Sequence, residues 1–285
     1  KKDVFPVKGW SLNSQLHSIP DCQSIIKKAM VTRLQAAYGI SWFEETGDLY
    51  QVQFSILKDK VMIMLDTSGL GLHKRGYRKG GALEAPIKET LAAGIIDLAR
   101  VYDDSNFYDP FCGSGTFLIE AAMHALKIAP GLKRNFAAED WRFIPAKAWY
   151  EERQRARDII KHDATFMAYG SDISDEAVEL TLENAKKAGV EARIKVVKAD
   201  ISDFNIPTDR GVVITNPPYG ERMLDIKTAQ GLYKAFGKTI KPSSNHRAYI
   251  ITPDEEFETH FGKKADKKRK LYNGMLKCNL YMYFK

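Results

Sequence analysis

Cysteine is scarce in this sequence, and its spacing excludes two kinds of stabilising site. The 285 residues contain three cysteines, Cys22, Cys112 and Cys278, which lie too far apart for a disulfide framework. No Cys-x-x-Cys pair and no paired histidines have the spacing of a zinc site, so we expect no bound metal. A reducing compartment is the simplest interpretation, and we expect a cytoplasmic protein.

Long apolar runs are also missing. None approaches the roughly 20 residues that a membrane-spanning helix needs, and the first residues do not have the pattern of a secretory signal. The sequence instead has an excess of basic residues, 43 Lys and Arg against 36 Asp and Glu, for a net charge of +7. This balance favours a polyanionic partner. We expect no membrane association, and no obligate protein partner is evident.

The most informative segment is Asn216, Pro217, Pro218 and Tyr219, which follows the apolar run 211–215. That run is typical of a buried parallel strand, and the prolines end it because they cannot continue a strand ladder. Ligands bind at the carboxyl ends of strands in doubly wound sheets. The Asn oxygen and a Pro carbonyl can accept both hydrogens of an exocyclic amine, and the Tyr ring can stack on a base. Taken alone, the tetrapeptide fits an ordinary turn equally well.

A second motif joins a strand end to a helix start. It consists of Asp109, Pro110, Phe111, Cys112, Gly113, Ser114, Gly115 and Thr116. Its two glycines allow a tight turn and a close approach of the backbone to a ligand. The motif lacks the third glycine of a dinucleotide fingerprint and is not a Walker loop. Asp109 would repel a pyrophosphate, so the loop suits a cationic or amine-bearing ligand.

Two further acidic residues, Asp172 and Asp200, each follow a strand-like run. An acid at the end of the second strand of such a unit commonly accepts hydrogen bonds from ribose hydroxyls. Either residue alone is more often a cap or turn residue. Four successive strands that end in Asp109, Asp172, Asp200 and Asn216 together indicate one ligand site.

These motifs resemble the class I S-adenosylmethionine-dependent methyltransferases that act on amino nitrogens. The resemblance implies a doubly wound, Rossmann-like α/β sheet, mostly parallel with a C-terminal antiparallel hairpin, and S-adenosylmethionine as the cofactor. It makes Asn216, Pro217, Pro218 and Tyr219 the catalytic residues. The cofactor-binding residues that it implies are Pro86, Asp109, Pro110, Phe111, Cys112, Gly113, Ser114, Gly115, Thr116, Asp172, Ile173, Asp200, Ile201 and Asn216.

The extension Gly220-Glu221-Arg222 and residues 72–78 and 85–92 are similar to a narrower family, the THUMP-domain ribosomal RNA methyltransferases. The first seventy residues are similar to the later part of a THUMP domain, and the family's N-terminal part is longer than the one here. This resemblance implies guanine N2 of 23S ribosomal RNA as the target. Two alternatives remain: an N6-adenine DNA methyltransferase with the same tetrapeptide, and a non-catalytic RNA-binding or ribosome assembly factor.

We therefore expect a partial THUMP-like RNA-binding α+β module at residues 1–70, a basic Gly-rich connector at 71–84 and a methyltransferase domain at 85–285. Basic side chains and one Tyr in the connector suit a nucleic-acid backbone, although a solvated linker fits them equally well. The expected nucleic-acid contacts are Lys74, Arg75, Tyr77, Arg78, Lys79 and Arg222.

Local patterns predict several other elements. Helices are expected at residues 24–38, at 116 to about 128, and from Pro86 to about 101; strands are expected at 50–57, 60–66 and 247–252. Asn273-Gly274 predicts a terminal hairpin. The segment 132–161 is interpreted as an insertion whose Trp residues pack it onto the core. The basic cluster at 263–270 favours a solvated loop over a phosphate contact.

Overall fold

The computed structural model describes residues 2–78, 86–219 and 226–285, without the side chain of Ile226. The chain divides into two compact units, one formed by residues 1–72 and 135–153 and the other by residues 73–134 and 154–285. Most of the expected insertion therefore belongs with the N-terminal residues. The expected nucleic-acid contacts Lys79 and Arg222, and the rest of the Gly220-Glu221-Arg222 extension, lie outside the described residues.

The described strands and α-helices follow one another in a simple order. They are β1 (Val7–Leu12), α1 (Ile19–Tyr38), β2 (Val52–Leu57), β3 (Lys60–Leu65), α2 (Glu89–Leu98), β4 (Asn106–Asp109), α3 (Thr116–Ala125), α4 (Ala146–Asp158), β5 (Met167–Asp172), α5 (Asp175–Ala188), β6 (Ile194–Lys198), β7 (Gly211–Thr215), α6 (Ile226–Thr239), β8 (His246–Thr252), α7 (Phe257–Phe261), β9 (Lys267–Asn273) and β10 (Leu276–Tyr283).

The first unit contains a three-stranded sheet in the order β1-β2-β3. Strand β1 pairs parallel to β2, and β2 pairs antiparallel to β3. Lys58 and Asp59, which join β2 to β3, both have positive φ, as the tightest hairpin turns require. Val52, Phe54 and Ile56 alternate along β2 and are buried, so the period-2 pattern of this strand marks its core face.

Helix α1 starts at Ile19, five residues before its expected start at residue 24. The Ser18 side chain caps the helix by accepting a hydrogen bond from the Asp21 backbone N–H. Pro20 lies in the first turn, where its missing N–H costs nothing. The helix ends as expected at Gly39, whose φ of 65° is the left-handed C-cap conformation.

The insertion is anchored by aromatic side chains within the first unit. The Trp141 indole is buried, and its Nε1 donates a hydrogen bond to the Leu49 carbonyl at 2.8 Å. The same ring stacks on Tyr50, with ring centroids 4.9 Å apart. Trp149 stacks on Phe136. Trp residues therefore pack this segment as expected, but these contacts lie within the first unit and not with the seven-stranded sheet.

The second unit contains a seven-stranded sheet in the order β6-β5-β4-β7-β8-β10-β9. Strands β4 to β8 are mutually parallel, and the β9–β10 hairpin completes the sheet in antiparallel fashion. This is the expected Rossmann-like, doubly wound arrangement. Strand β8 contributes Tyr249 and Ile251 to one buried cluster and Ala248 and Ile250 to another, so both faces of the sheet are covered.

Two helices of this unit are shorter than expected. Helix α2 begins at Glu89, with Lys88 as its N-cap residue, instead of at Pro86. Helix α3 ends at Ala125, before residue 128. Across the described ranges, no helix is long and apolar enough to cross a membrane.

Candidate active site

The predicted ligand residues gather at one edge of the seven-stranded sheet. Asp109 and Asp172 are the last residues of β4 and β5, and Asn216 directly follows β7. Strand β4 pairs with both β5 and β7, so these three residues come from adjacent parallel strands. Asp200 follows β6, which pairs with β5 on its other side. We name this edge the carboxyl edge of the sheet.

Asp109 is the most buried acid of the group, with 1% of its surface exposed. Its Oδ1 accepts hydrogen bonds from the Thr215 hydroxyl at 2.6 Å and from the Phe111 backbone N–H at 3.2 Å. Burial raises its pKa to about 7, although both hydrogen bonds favour the ionised form. The carboxyl group therefore titrates near neutrality, and a cation bound next to it would stabilise its ionised form.

The loop after Asp109 is held by the start of α3 and by two polar side chains of α5. The Thr181 hydroxyl donates to the Gly113 carbonyl at 2.9 Å, and the Asn184 amide donates to the Ser114 carbonyl at 3.1 Å. Both side chains are fully buried. Each side chain donates a hydrogen bond to a loop carbonyl, and these two bonds hold the loop backbone in place before any ligand binds.

The two glycines of this loop have different structural roles. Both have positive φ, 52° at Gly113 and 77° at Gly115. A Cβ at Gly115 would lie 2.6 Å from the Thr181 Cγ2, so this glycine permits packing against α5. A Cβ at Gly113 would have nothing within 4 Å, so this backbone faces open space that a ligand can enter.

Asp172 joins the loop to β5. Its Oδ2 accepts a hydrogen bond from the Gly113 backbone N–H at 2.9 Å, and its Oδ1 accepts one from the Ser174 backbone N–H at 3.1 Å. A carboxylate has about four lone-pair positions, so capacity remains for ligand hydroxyls. The next residue, Ile173, is 67% exposed and so presents an apolar side chain beside this carboxylate.

Asp200 forms a tight local turn. Its Oδ1 accepts hydrogen bonds from the Ser202 hydroxyl and backbone N–H. These bonds, led by that of the hydroxyl, lower the pKa of Asp200 and keep it ionised at neutral pH. Ile201 is buried in the core, so it supports the turn and does not line an open surface.

Other residues of the loop motif mainly shape the backbone. The Pro110 carbonyl accepts a hydrogen bond from the Ser171 hydroxyl at 3.3 Å, and the Phe111 ring packs edge-on against Phe236. The Cys112 thiol is buried, and its burial raises the pKa well above its ordinary value. A neutral thiol is a poor nucleophile.

The tetrapeptide leaves one acceptor unsatisfied. The Asn216 Oδ1 is buried and has no hydrogen-bond partner within the part of the chain that the structure describes. A buried polar atom without a partner costs about 1–3 kcal/mol, and such atoms are rare in folded proteins. The position therefore suits a ligand that donates a hydrogen bond there.

The remainder of the tetrapeptide is fixed by α6. The Tyr233 hydroxyl donates to the Pro218 carbonyl at 3.1 Å and lies 3.3 Å from the Thr252 hydroxyl. Burial raises the pKa of Tyr233 to about 12, so this donor keeps its proton throughout the neutral range. Pro217 is buried, whereas Pro218 and Tyr219 are half-buried. The Tyr233 bond thus holds the turn that presents Asn216.

The described part of the connector, residues 71–78, buries two of its predicted RNA contacts. Arg75 and Tyr77 are 9% and 2% exposed. The Arg75 guanidinium lies 3.2 Å from one Glu120 carboxylate oxygen, and the Tyr77 hydroxyl donates to the other at 3.1 Å. Burial raises the pKa of Glu120 despite the Arg75 charge beside it. The expected RNA contacts of Arg75 and Tyr77 do not fit this burial, while Lys74 is exposed.

Arg78 also faces the protein. Its Nη2 donates to the Thr116 hydroxyl at the start of α3. Its Nε lies 3.2 Å from a Glu89 carboxylate oxygen but outside hydrogen-bond geometry, so that attraction is ionic. Arg78 therefore places a positive charge beside the loop motif. Pro86, expected beside the cofactor, is half-buried and precedes α2.

Sequence reasoning missed four supporting residues. These are Thr181, Asn184, Thr215 and Tyr233. Thr181 and Asn184 are polar residues on the buried face of α5, three positions apart, and that placement was the available signal. No comparable pattern marks Thr215 or Tyr233.

Comparison with known proteins decides the family. The model of the UPF0020 family, described as the RMKL-like methyltransferase domain, matches residues 75–282. The chain belongs to this methyltransferase family. The RMKL-like match spans the carboxyl edge and every strand of the seven-stranded sheet, which agrees with the expected class I methyltransferase fold.

Relatives of this RMKL-like chain include two named RNA methyltransferases. YpsC of Bacillus subtilis (strain 168), named as a putative RNA methyltransferase, is 44% identical over 98% of this chain and 73% of its own length. "Ribosomal RNA large subunit methyltransferase K/L" of Shewanella amazonensis is 39% identical over 79% of this chain, but only 33% of that protein is matched. The chain thus spans about a third of the K/L relative.

A solved structure extends the comparison. SMU.472, described as a putative methyltransferase complexed with SAH, is 42% identical over 99% of this chain and 75% of its own, with a TM-score of 0.90. The structural similarity includes residues of both units, because it covers 99% of this chain.

Proposed function

We propose that this protein transfers a methyl group from S-adenosylmethionine to an exocyclic amine of a base in RNA, and that the amine is guanine N2 of 23S ribosomal RNA. The observation that carries the chemistry is the buried Oδ1 of Asn216 at the carboxyl edge, which has no hydrogen-bond partner among the described residues. Membership of the RMKL-like methyltransferase family supports methyl transfer. The names of the two relatives support RNA, and the K/L name supports large-subunit ribosomal RNA. The choice of guanine rests on the family resemblance of the sequence.

S-adenosylmethionine is the cofactor, since the family is a methyltransferase family and SMU.472 holds its demethylated product. The site fits this group. Open space faces the Gly113 backbone, and Asp172 retains acceptor capacity for ribose hydroxyls. The exposed Ile173 offers an apolar surface for adenine, beside Asp200 and its rigid turn. The buried Asp109 suits the cationic part of the cofactor, which supplies an electrophilic methyl group.

Asn216 would act on the amine that receives the methyl group. The lone pair of an aromatic amine is delocalised into its ring, which makes the nitrogen a poor nucleophile. The Asn216 Oδ1 and the Pro217 carbonyl would each accept one amine hydrogen and so orient the lone pair. Orientation of this kind contributes on the order of several kcal/mol to a reaction barrier.

Tyr219 would stack on the target base, which must leave any helix to reach the site. Tyr233 would act through the tetrapeptide by fixing the Pro218 carbonyl. The tetrapeptide itself contributes no strong base, since its side chains are an amide, two proline rings and a phenol. The proton released after methyl transfer would therefore pass to solvent.

The test is methyl transfer from tritiated S-adenosylmethionine to undermethylated ribosomal RNA and, in parallel, to duplex DNA. The labelled nucleic acid is digested and the nucleoside identified. N2-methylguanosine in RNA is the expected product. N6-methyladenosine in DNA would instead establish the adenine DNA methyltransferase that shares this tetrapeptide.

A non-catalytic assembly factor is the remaining rival. It predicts RNA binding without label in either nucleic acid, even on ribosomal particles. The Asn216 oxygen, which has no hydrogen-bond partner among the described residues, weighs against it, because it leaves an acceptor free for the amine that a methyltransferase acts on.

Residues 1–70 are proposed to be a partial THUMP-like RNA-binding module, with the methyltransferase domain following the connector. Strand β3 of this module is exposed along its whole length and carries Val61, Ile63 and Leu65 at 54–60% exposure. Deletion of residues 1–70 should weaken RNA binding and leave S-adenosylmethionine binding intact if the module has this role.

A further inference from the structure

The outermost strand of the seven-stranded sheet is strongly basic. Strand β9 reads Lys267, Lys268, Arg269, Lys270, Leu271, Tyr272, Asn273, and its four cations are all exposed. It pairs only with β10, so its other side has no neighbouring strand within the described residues. The sequence favours a solvated loop for the basic cluster but a strand of the terminal hairpin for residues 268–272, and the structure places all of residues 267–273 on a regular strand.

Most of these charges lack an internal partner. Lys268 is paired with Glu258, and Lys277 on β10 is paired with Glu255. Lys267, Arg269 and Lys270 have no ion pair with any described carboxylate. Three unpaired cations within four positions repel one another, so their arrangement costs stability unless an anion neutralises them.

The strand register brings the end of β9 level with the tetrapeptide. Thr215 pairs with Ile250 of β8. Two residues further along, Thr252 pairs with Asn279 of β10, which pairs in turn with Lys270. Both β8 and β9 run antiparallel to β10, so β9 runs in the same direction as β7. Lys270 and the residues after it therefore lie at the carboxyl edge.

The distance from the tetrapeptide suits a flanking nucleotide. Strand β9 is three strands from β7 in the sheet. At about 4.8 Å per strand, this separation is about 14 Å. Tyr272 is 56% exposed, and the Lys270 ammonium lies 5.5 Å from its ring centroid. A basic side chain beside an exposed aromatic ring is the arrangement that binds single-stranded nucleic acid.

We propose that β9 is a second RNA-binding surface, which holds the strand next to the target base while the tetrapeptide holds the base itself. Lys270 and Tyr272 lie on one face of β9 at the carboxyl edge, where they bind a phosphate and stack on an unpaired base. Lys267 and Arg269 lie on the other face and bind phosphates of the RNA strand as it passes around this outer strand. The inference rests on the proposed function, because it takes the substrate to be RNA.

A structural explanation competes with this one. Lysines on an outermost strand keep it from pairing with another chain, and charge of either sign can fill that role. Reversal of the charge separates the two explanations, since glutamates also block pairing but repel phosphate.

The test compares two triple variants of the protein. Lys267→Glu/Arg269→Glu/Lys270→Glu changes β9. Lys234→Glu/Lys238→Glu/Lys241→Glu makes the same charge change on exposed residues in and just after α6 and serves as the matched control. Anisotropy with a labelled fragment of ribosomal RNA gives the affinity at several salt concentrations, and calorimetry gives the S-adenosylmethionine affinity.

We expect the β9 variant to bind RNA at least about tenfold more weakly at low salt than the control variant does. The logarithm of the RNA association constant decreases with the logarithm of the salt concentration, and the steepness of this decrease should be smaller by about 2 after the loss of three phosphate contacts. Cofactor affinity should match that of the wild type, which also shows that the variant is folded. Tyr272→Ala should weaken RNA binding without changing the salt slope.

Equal RNA affinity of the β9 and control variants would overturn the proposal and leave edge protection as the role of these lysines. If the wild type still binds and methylates RNA, equal affinity of the two variants would overturn the role of β9 and leave the proposed function standing. A β9 variant that also loses cofactor binding would overturn the proposal. Failure of the wild type to bind RNA would overturn both this proposal and the proposed function.

Discussion

Replacement of Asp109 by asparagine should stabilise the protein, and the gain should grow with pH. The folded pKa of Asp109 is about 7, against an ordinary value of 3.8. Above pH 3.8 the unfolded chain gives up this proton, but the folded protein keeps it until about pH 7. The folded state therefore loses stability as the pH rises through this window and loses no more above it.

The size of the effect follows from the width of the window. Each pKa unit corresponds to about 1.4 kcal/mol, so the full loss is about 4 kcal/mol. The asparagine side chain of the Asp109→Asn variant would keep an oxygen that accepts from Thr215 and Phe111 but would not titrate. The difference in unfolding free energy between Asp109→Asn and the wild type should thus rise by about 1.4 kcal/mol per pH unit between about pH 5 and 7, in favour of the variant, and level off above about pH 8.

Urea denaturation of both proteins at each pH measures this difference, and subtraction removes the titration of all other groups. Asp266→Asn is the matched control. Backbone hydrogen bonds from Phe284 and Lys285 lower the pKa of Asp266, so its difference should stay flat from about pH 5 to 8. A flat Asp109→Asn difference over the same range would refute the reasoning, because it would mean that Asp109 is ionised throughout.

Two further substitutions test the supporting residues. Tyr233→Phe removes the hydrogen bond to the Pro218 carbonyl and should lower the single-turnover rate of methyl transfer about tenfold, for a bond of about 1.4 kcal/mol, with cofactor affinity unchanged by calorimetry. A loss confined to cofactor affinity would contradict that role. Glu120→Gln leaves the buried Arg75 without the Glu120 countercharge and should cost about 3 kcal/mol in urea denaturation. Unchanged stability would show that Arg75 is hydrated or paired elsewhere.

Local signals in the sequence predict much of the second unit. Strand β7 lies at residues 211–215 as expected, because a continuous apolar run that ends in two prolines leaves little choice. Ser174 and Gly189 cap α5, and the sequence alone predicts both caps because the N-cap and C-cap chemistry is local. The Asn273-Gly274 hairpin forms for the same reason. These elements locate the four strand ends, and ligands bind at the carboxyl ends of strands in parallel sheets, so the site could be predicted there.

Contacts between distant segments could not be predicted in this way. The bond between Thr215 and Asp109 joins residues 106 positions apart, and its existence depends on the strand order. Burial of Arg75 depends on Glu120 of α3, so a basic connector looked like an exposed surface. Strand β1 and the three helices α4, α6 and α7 lack a sharp local signal. Register alone places β9 at the carboxyl edge.

The central claim is that the unpartnered Asn216 oxygen exists for the amine that is methylated. Its most direct measurement is the single-turnover rate of methyl transfer to ribosomal RNA by Asn216→Ala, with S-adenosylmethionine affinity measured on the same protein and Asn216→Asp as the variant that keeps an acceptor. We predict a fall of at least about a hundredfold for Asn216→Ala, or about 2.7 kcal/mol, with the cofactor affinity within about threefold of wild type and partial activity in Asn216→Asp. Methyl transfer at the wild-type rate by Asn216→Ala would contradict the claim.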